Sequence, residues 1–262
     1  MYVHHGKAIA NLTAYFQPMD WVVTLVLGGS VAKGTARPDS DIDAMVVVTD
    51  EKYAEMVSAH QTYEMIEGHC DYPGGYFDVK YYNRDFIRAV EKKGSEPARN
   101  AFLGCRVLFS RDEEMTRVVE RIPVFQTALR EEKLQSFYAA YALSLYYFLP
   151  VSGDDLFLRT KAAAEIVHFG LRMMLEDREV LFPCAKAMRM TLLDHFPDCR
   201  PLLEAADVFL ASRDQADAEV FDRQLRAALS WQPPGDYNRV LARFTLDHEQ
   251  WWYEPRPYIA EW

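Results

Sequence analysis

Apolar positions follow two rhythms along this chain, and the change from one to the other divides it. Between Val22 and Phe109 the apolar runs are short, rich in β-branched residues and bounded by turn residues, the mark of strands. From Pro123 onward apolar residues recur at helical spacing over long stretches. The first region predicts a helix over 7–15 ended by Pro18, a buried strand over 22–27, and a second strand through 44–48. A helix over 50–58 with Asp50 as its cap follows, then a hairpin over 63–82 that turns at Asp71-Tyr72-Pro73-Gly74-Gly75. Asn83 should cap a helix through Lys92, residues 99–103 should be helical, and 105–109 should form the last strand before a helix starting at 110–113. The second region predicts a long helix over 125–149 stopped by Pro150, and further helices over 156–176, 198–212, 216–229 and 236–253. Pro183 opens one more, and the tail at Pro255-Arg256-Pro257 is not expected to be helical. The fold class implied is α/β (α+β): an N-terminal domain with a small mixed sheet over residues 1–120, then an all-α C-terminal helical bundle over 121–262.

The polar residues that interrupt the first two strands carry the candidate chemistry. Gly28-Gly29-Ser30 ends the first strand. Glycine permits backbone torsions that other residues resist and lets a ligand approach the main chain. Ser30 adds a hydroxyl, is expected to cap a short helix through Gly34, and free N–H groups at such a start favour a phosphate. Lys33, in the same turn, can help hold a triphosphate; Arg37 is a weaker candidate. Asp41-Ile42-Asp43 then leads into Ala44–Val48. Side chains alternate along a strand, so Asp41 and Asp43 share a face with Cα atoms roughly 6.5 Å apart. Two such carboxylates repel unless a divalent cation lies between them. Asp78 alternates with Phe77 and Val79 on a later strand, and it joins the pair if the two strands are neighbours. Three carboxylates provide for a two-metal site. A tight turn and a solvated strand edge would be the bland reading, but it must explain three coincident elements.

This ordered set, Gly29-Ser30, Asp41-x-Asp43 and then Asp78, resembles the nucleotidyltransferase superfamily of DNA polymerase beta. Within it the chain is most similar to bacterial aminoglycoside and lincosamide nucleotidyltransferases, which pair this domain with a C-terminal helical domain. The resemblance implies two Mg²⁺ ions on Asp41, Asp43 and Asp78, and a nucleoside triphosphate, ATP by preference, with its phosphates on Gly29 and Ser30. It implies transfer of a nucleoside monophosphate to a hydroxyl of a small-molecule acceptor such as an antibiotic, with release of pyrophosphate. Residues 121–262 become the substrate-binding domain. In the helical half, Glu165 sits among Ala162, Ala163, Ala164, Ile166 and Val167, company that suits a desolvated general base. In some related antibiotic nucleotidyltransferases a carboxylate from the helical domain deprotonates the acceptor hydroxyl; the alternative for Glu165 is an ion pair with Lys161 or Arg172. The stretch Leu181–Arg189 is similar to a segment that turns a lysine, here Lys186, toward the triphosphate. Two other functions fit the same motif: an enzyme that nucleotidylates (AMPylates) a protein, as toxin–antitoxin relatives do, and a nucleotide-binding module without turnover. The intact acids argue against the second.

Composition narrows the partners. The formal net charge is −10, which disfavours tight binding of long nucleic acid, since that needs basic surface to displace counterions. Cys70, Cys105, Cys184 and Cys199 have no zinc-like spacing and read as reduced thiols of a cytoplasmic protein. No signal-peptide pattern and no membrane-length apolar run is present. His4-His5 reads as plain surface or a tag remnant, and no motif connects His60 or His69 with the acids.

Overall fold

The computed structural model describes residues 2–253. Two compact units meet in sequence at Val124 and Phe125. The first holds α1 (Val3–Phe16), β1 (Val22–Leu27), α2 (Gly29–Lys33), β2 (Ile42–Val48), α3 (Asp50–Ser58), β3 (Tyr63–Ile66) and β4 (Phe77–Tyr82). It continues with α4 (Arg84–Lys93), α5 (Glu96–Asn100), β5 (Arg106–Ser110) and α6 (Glu113–Arg121). The five strands form one sheet in the order β3-β4-β2-β1-β5. It is mixed: β2 and β4 run parallel, and the other neighbours are antiparallel.

The burial pattern explains why the apolar runs differ. β1 and β2 lie near the middle of the sheet, and almost every residue in them is buried. One face packs Leu25, Leu27, Ile42, Ala44, Val46, Phe77 and Val79 against Ala8, Leu12 and Phe16 of α1. The other packs Val26, Met45 and Val47 against Ile87 and Val90 of α4 and Met115 and Val118 of α6. Strands covered on both sides read as continuous hydrophobic runs. β4 instead alternates, with Phe77, Val79 and Tyr81 buried and Asp78, Lys80 and Tyr82 half-buried.

Several predicted boundaries shift for local reasons. Thr49, not Asp50, caps α3 by accepting the Lys52 N–H, and Asp50 becomes its first helical residue. Asn83 caps α4 through the Phe86 N–H at 2.9 Å as expected. His5 is fully buried, packed on Tyr72 and His4, rather than on the surface.

The regular structure of the second unit's described part is all helical. It contains α7 (Arg130–Leu143), α8 (Leu149–Val151), α9 (Leu156–Asp177), α10 (Ala185–His195), α11 (Arg200–Ser212), α12 (Gln215–Ala228) and α13 (Tyr237–Phe244). Its core joins Leu134, Phe137 and Tyr141 of α7 to Ile166 and Phe169 of α9, Phe209 of α11 and Phe221 of α12. A Cβ at Gly170 would stand 3.0 Å from Leu225 and Phe221, so glycine lets α9 and α12 close together. The expected helix over 125–149 is not one piece. A 3₁₀ turn, Thr127–Leu129, leads into α7, and a π turn, Ser144–Phe148, joins α7 to α8. The helical path runs on through Pro150 to Val151 rather than stopping there. The π turn bonds the Leu149 N–H to the Ser144 carbonyl, so the hydrogen-bond frame has already shifted where proline has no N–H to offer. The helix expected over 236–253 ends at Phe244 and continues as a second π turn, Thr245–Glu249. The Pro255-Arg256-Pro257 tail lies outside the described residues.

Candidate active site

The site is built at one end of the β2/β4 pair. The parallel register puts Asp43 directly opposite Asp78. Asp41 immediately precedes β2, two residues from Asp43 and therefore on the same side. One carboxylate oxygen from each of Asp41, Asp43 and Asp78 lies within 4.8 Å of the others, and all three residues are half-buried. Between Asp41 and Asp43, Ile42 turns into the core with no exposure. The buried partner anchors the strand, and the alternation of β structure turns both acids outward.

Gly29 makes this approach feasible. Its φ is +64, and a Cβ there would stand 1.6 Å from Asp43 Oδ2. Both the torsion and the space therefore exclude a side chain. The Gly28 N–H donates to the Asp43 carbonyl at 2.9 Å, tying the turn after β1 to the start of β2. Ser30 does not cap the short helix. Gly28 takes the cap position in extended backbone, α2 begins at Gly29, and Ser30 is its second residue. Gly34, at φ +78, closes α2 in the left-handed region. Lys33, at the end of α2, donates to Asn100 Oδ1 at 2.7 Å, and its charge acts on Asp43. Arg37 pairs with Asp39 at 3.3 Å.

Electrostatics marks the cluster as crowded with negative charge. The Asp43 carboxyl is pushed up to about 6, first by burial, then by Asp41 and Asp78, against the pull of Lys80 and Lys33. The polar contact and negative charge of Asp41 push the Tyr76 hydroxyl up to about 12. Lys80 Nζ lies 2.5 Å from Asp78 Oδ1. Sequence reasoning misses Tyr76 and Lys80. The signal is present, because Lys80 stands two residues beyond Asp78 on the alternating strand and shares its face, and Tyr76 stands two residues before Asp78, just ahead of β4.

The donor set fits a hard cation. Three carboxylates supply only oxygen ligands, the kind Mg²⁺ takes in ones and twos alongside substrate phosphates, and no softer ligand stands among them.

The other sequence candidates lie in the helical unit. Glu165, on α9, is not isolated in apolar company. It accepts from Ser144 Oγ at 2.9 Å and pairs with Lys161 one turn back, and a third of its side chain is exposed. Its apolar neighbours in sequence, Ala162, Ala163 and Ile166, face the bundle core, and helical periodicity turns Glu165 off that stripe. Lys186 is the second residue of α10 and is exposed. Cys184 holds the cap position of that helix, so Pro183 stands just before it rather than opening it. His69 stacks on Phe77 at 5.6 Å and is part of the sheet's apolar packing.

Residues 12–99 match the family model described as a nucleotidyltransferase domain. That span runs from α1 into α5 and includes Gly29, Ser30 and all three acids. A solved structure, a nucleotidyltransferase-like protein from Exiguobacterium sibiricum, is similar at 11% identity and a TM-score of 0.47, over 97% of this chain and 82% of that one. No match is found among curated proteins.

Proposed function

We propose that this chain, which carries a nucleotidyltransferase domain, is a Mg²⁺-dependent enzyme that moves a nucleoside monophosphate from a nucleoside triphosphate to a hydroxyl of a small-molecule acceptor, releasing pyrophosphate. The observation that supports it most is the convergence of Asp41, Asp43 and Asp78 within 4.8 Å, inside the matched domain and beside a glycine turn. Bound there, Mg²⁺ would neutralise charge on the transferring phosphoryl group, where catalysis of this reaction mostly resides. The chain's own residues do the rest. Gly29 keeps the main chain bare, so phosphate oxygens can reach the N–H groups at the start of α2. Ser30 offers a hydroxyl beside them, and Lys33 a charge. Ile42 and Phe77, both fully buried, hold the strands in place beneath the acids, so that Asp41 and Asp43 are already oriented to receive a cation.

The proposal extends to ATP as the donor and to residues 121–262 as the source of acceptor recognition. Glu165 takes the acceptor proton, its carboxylate held in one orientation by Ser144 and Lys161. Lys186 contributes charge toward the triphosphate. The test is pyrophosphate release with Mg²⁺ and each ribonucleoside triphosphate, with and without a panel of aminoglycosides and lincosamides, and mass analysis of the acceptors. Release that depends on the acceptor, with a mass gain of one nucleoside monophosphate, establishes the reaction and names both substrates. Glu165→Gln and Lys186→Met should then lower kcat and raise the triphosphate KM respectively. Triphosphate binding with no release on any acceptor or in cell extract would overturn the proposal.

A further inference from the structure

Lys80 touches the acid cluster, yet the proposed reaction gives it no part. It lies two residues beyond Asp78 on β4, on the same face, with Nζ 2.5 Å from Asp78 Oδ1. Its ammonium stands 5.6 Å from the centroid of the Tyr63 ring, a contact that favours a cation there. It is also close enough for its charge to act on Asp43. The two partners differ in exposure: the Asp78 side chain is 18% exposed and that of Lys80 44%. The carboxylate is fixed in the sheet, while the lysine reaches it on a flexible four-carbon stem.

An ordinary surface ion pair would explain the contact but not its place. Of the three carboxylates positioned to share a cation, Lys80 holds one, Asp78. Three carboxylates and one ammonium leave the cluster with a net charge of about −2, which one divalent ion balances. A second divalent ion would make the cluster strongly positive until a triphosphate arrives with its own negative charge.

Resting on the nucleotidyltransferase reading, we propose that Lys80 is a tethered cation that holds Asp78 in the nucleotide-free enzyme and limits the resting site to one divalent ion, on Asp41 and Asp43. The incoming triphosphate draws the ammonium away, since phosphate oxygens form charge-assisted hydrogen bonds with it as readily as a carboxylate does. Asp78 is then free to complete the site. Lys80 is thus a positioning residue that couples metal loading to nucleotide binding.

The experiment counts Mn²⁺ bound to the full chain at neutral pH by electron paramagnetic resonance. The wild type should bind one ion without nucleotide and a second when a non-hydrolysable triphosphate is added. Lys80→Met keeps the stem and removes the charge; it should bind two ions without nucleotide, or the first at least about tenfold tighter. Lys80→Arg should behave as wild type. Should Lys80→Met fail to fold, Asp78→Asn serves instead, and it should retain one bound ion. Lys80→Met matching wild type in count and affinity, a wild type that binds two ions without nucleotide, or loss of all binding in Asp78→Asn would each overturn the inference while leaving the metal site standing. A wild type that binds no Mn²⁺ even with triphosphate would overturn the nucleotidyltransferase reading as well.

Discussion

Three acids of the helical unit and the three at the end of the β2/β4 pair meet their surroundings in opposite ways. In the helical unit Asp177, Asp222 and Asp247 are answered by donors. Asp177 receives Arg130 at 2.5 Å and both the N–H and the hydroxyl of Ser230. Asp222 is bound by Arg226 and by the Tyr141 hydroxyl at 2.8 Å. Asp247 takes Arg243 at 2.5 Å. At the end of the β2/β4 pair three carboxylates converge on one lysine in contact and a second acting at longer range. Burying a charge is costly without a partner, so acids that serve the fold are paired. On the proposed function, the crowded acids, short of cations, are the ones held for a metal ion.

The sharpest way to break this comparison is to remove one acid from each side. Asp43→Asn should cut pyrophosphate release by about a thousandfold or more, as expected when a ligand of an essential ion is lost. Its thermal midpoint should equal or exceed that of the metal-free wild type, because one member of a repelling cluster has gone. Asp177→Asn should do the reverse. It leaves Arg130 short of its partner and should cost about 3 kcal/mol of stability while activity per folded molecule persists. Gly29→Ala comes next. The new Cβ collides with the Asp43 carboxylate at a backbone angle that disfavours it, so metal binding should fail, and stability should drop by about 1–3 kcal/mol. Calorimetry with Mn²⁺ and a melting curve check the two effects separately.

A pH series sharpens the contrast further. The Asp43 carboxyl, raised to about 6 from an ordinary 3.8, binds its proton more tightly in the folded chain than in the unfolded one. Between about pH 4 and 6 the folded state therefore holds the extra proton, and stability of the metal-free protein should fall as pH rises through that window. Metal competes with that proton, so Mn²⁺ affinity should weaken about tenfold per unit as pH falls below about 6. Asp43→Asn should abolish both slopes. The smallest effect belongs to an exposed pair in the helical unit: Lys161→Met should change stability by less than about 0.5 kcal/mol, measured by chemical denaturation.

Local periodicity makes much of this legible in the sequence. The alternation Asp41-Ile42-Asp43 and Phe77-Asp78-Val79 displays outward acids over a buried core, and the cap at Asn83 follows from side-chain chemistry alone, whereas the helix expected to start at 110–113 is capped by Asp112 and begins at Glu113. What is not legible is non-local or depends on backbone. Nothing in the sequence says that β4 pairs with β2 in the register that sets Asp78 against Asp43. The cap at Gly28 uses no side chain, so side-chain rules point to Ser30 instead. The passage of the helix through Pro150 depends on a π turn that residue preferences do not encode. For Glu165 the helical spacing offers the ion pair with Lys161 that forms, but its second partner, Ser144, stands on another segment and is not legible. Tyr76 and Lys80 are within reach of the same alternation that finds Asp78.

The most direct test of the central claim is Mg²⁺-dependent pyrophosphate release by wild type, Asp43→Asn and Asp177→Asn, each normalised to its folded fraction. Release by the wild type, lost in Asp43→Asn and kept in Asp177→Asn, is the predicted result. Equal activity in Asp43→Asn and wild type would contradict it, because the crowded carboxylates would then have no part in the chemistry.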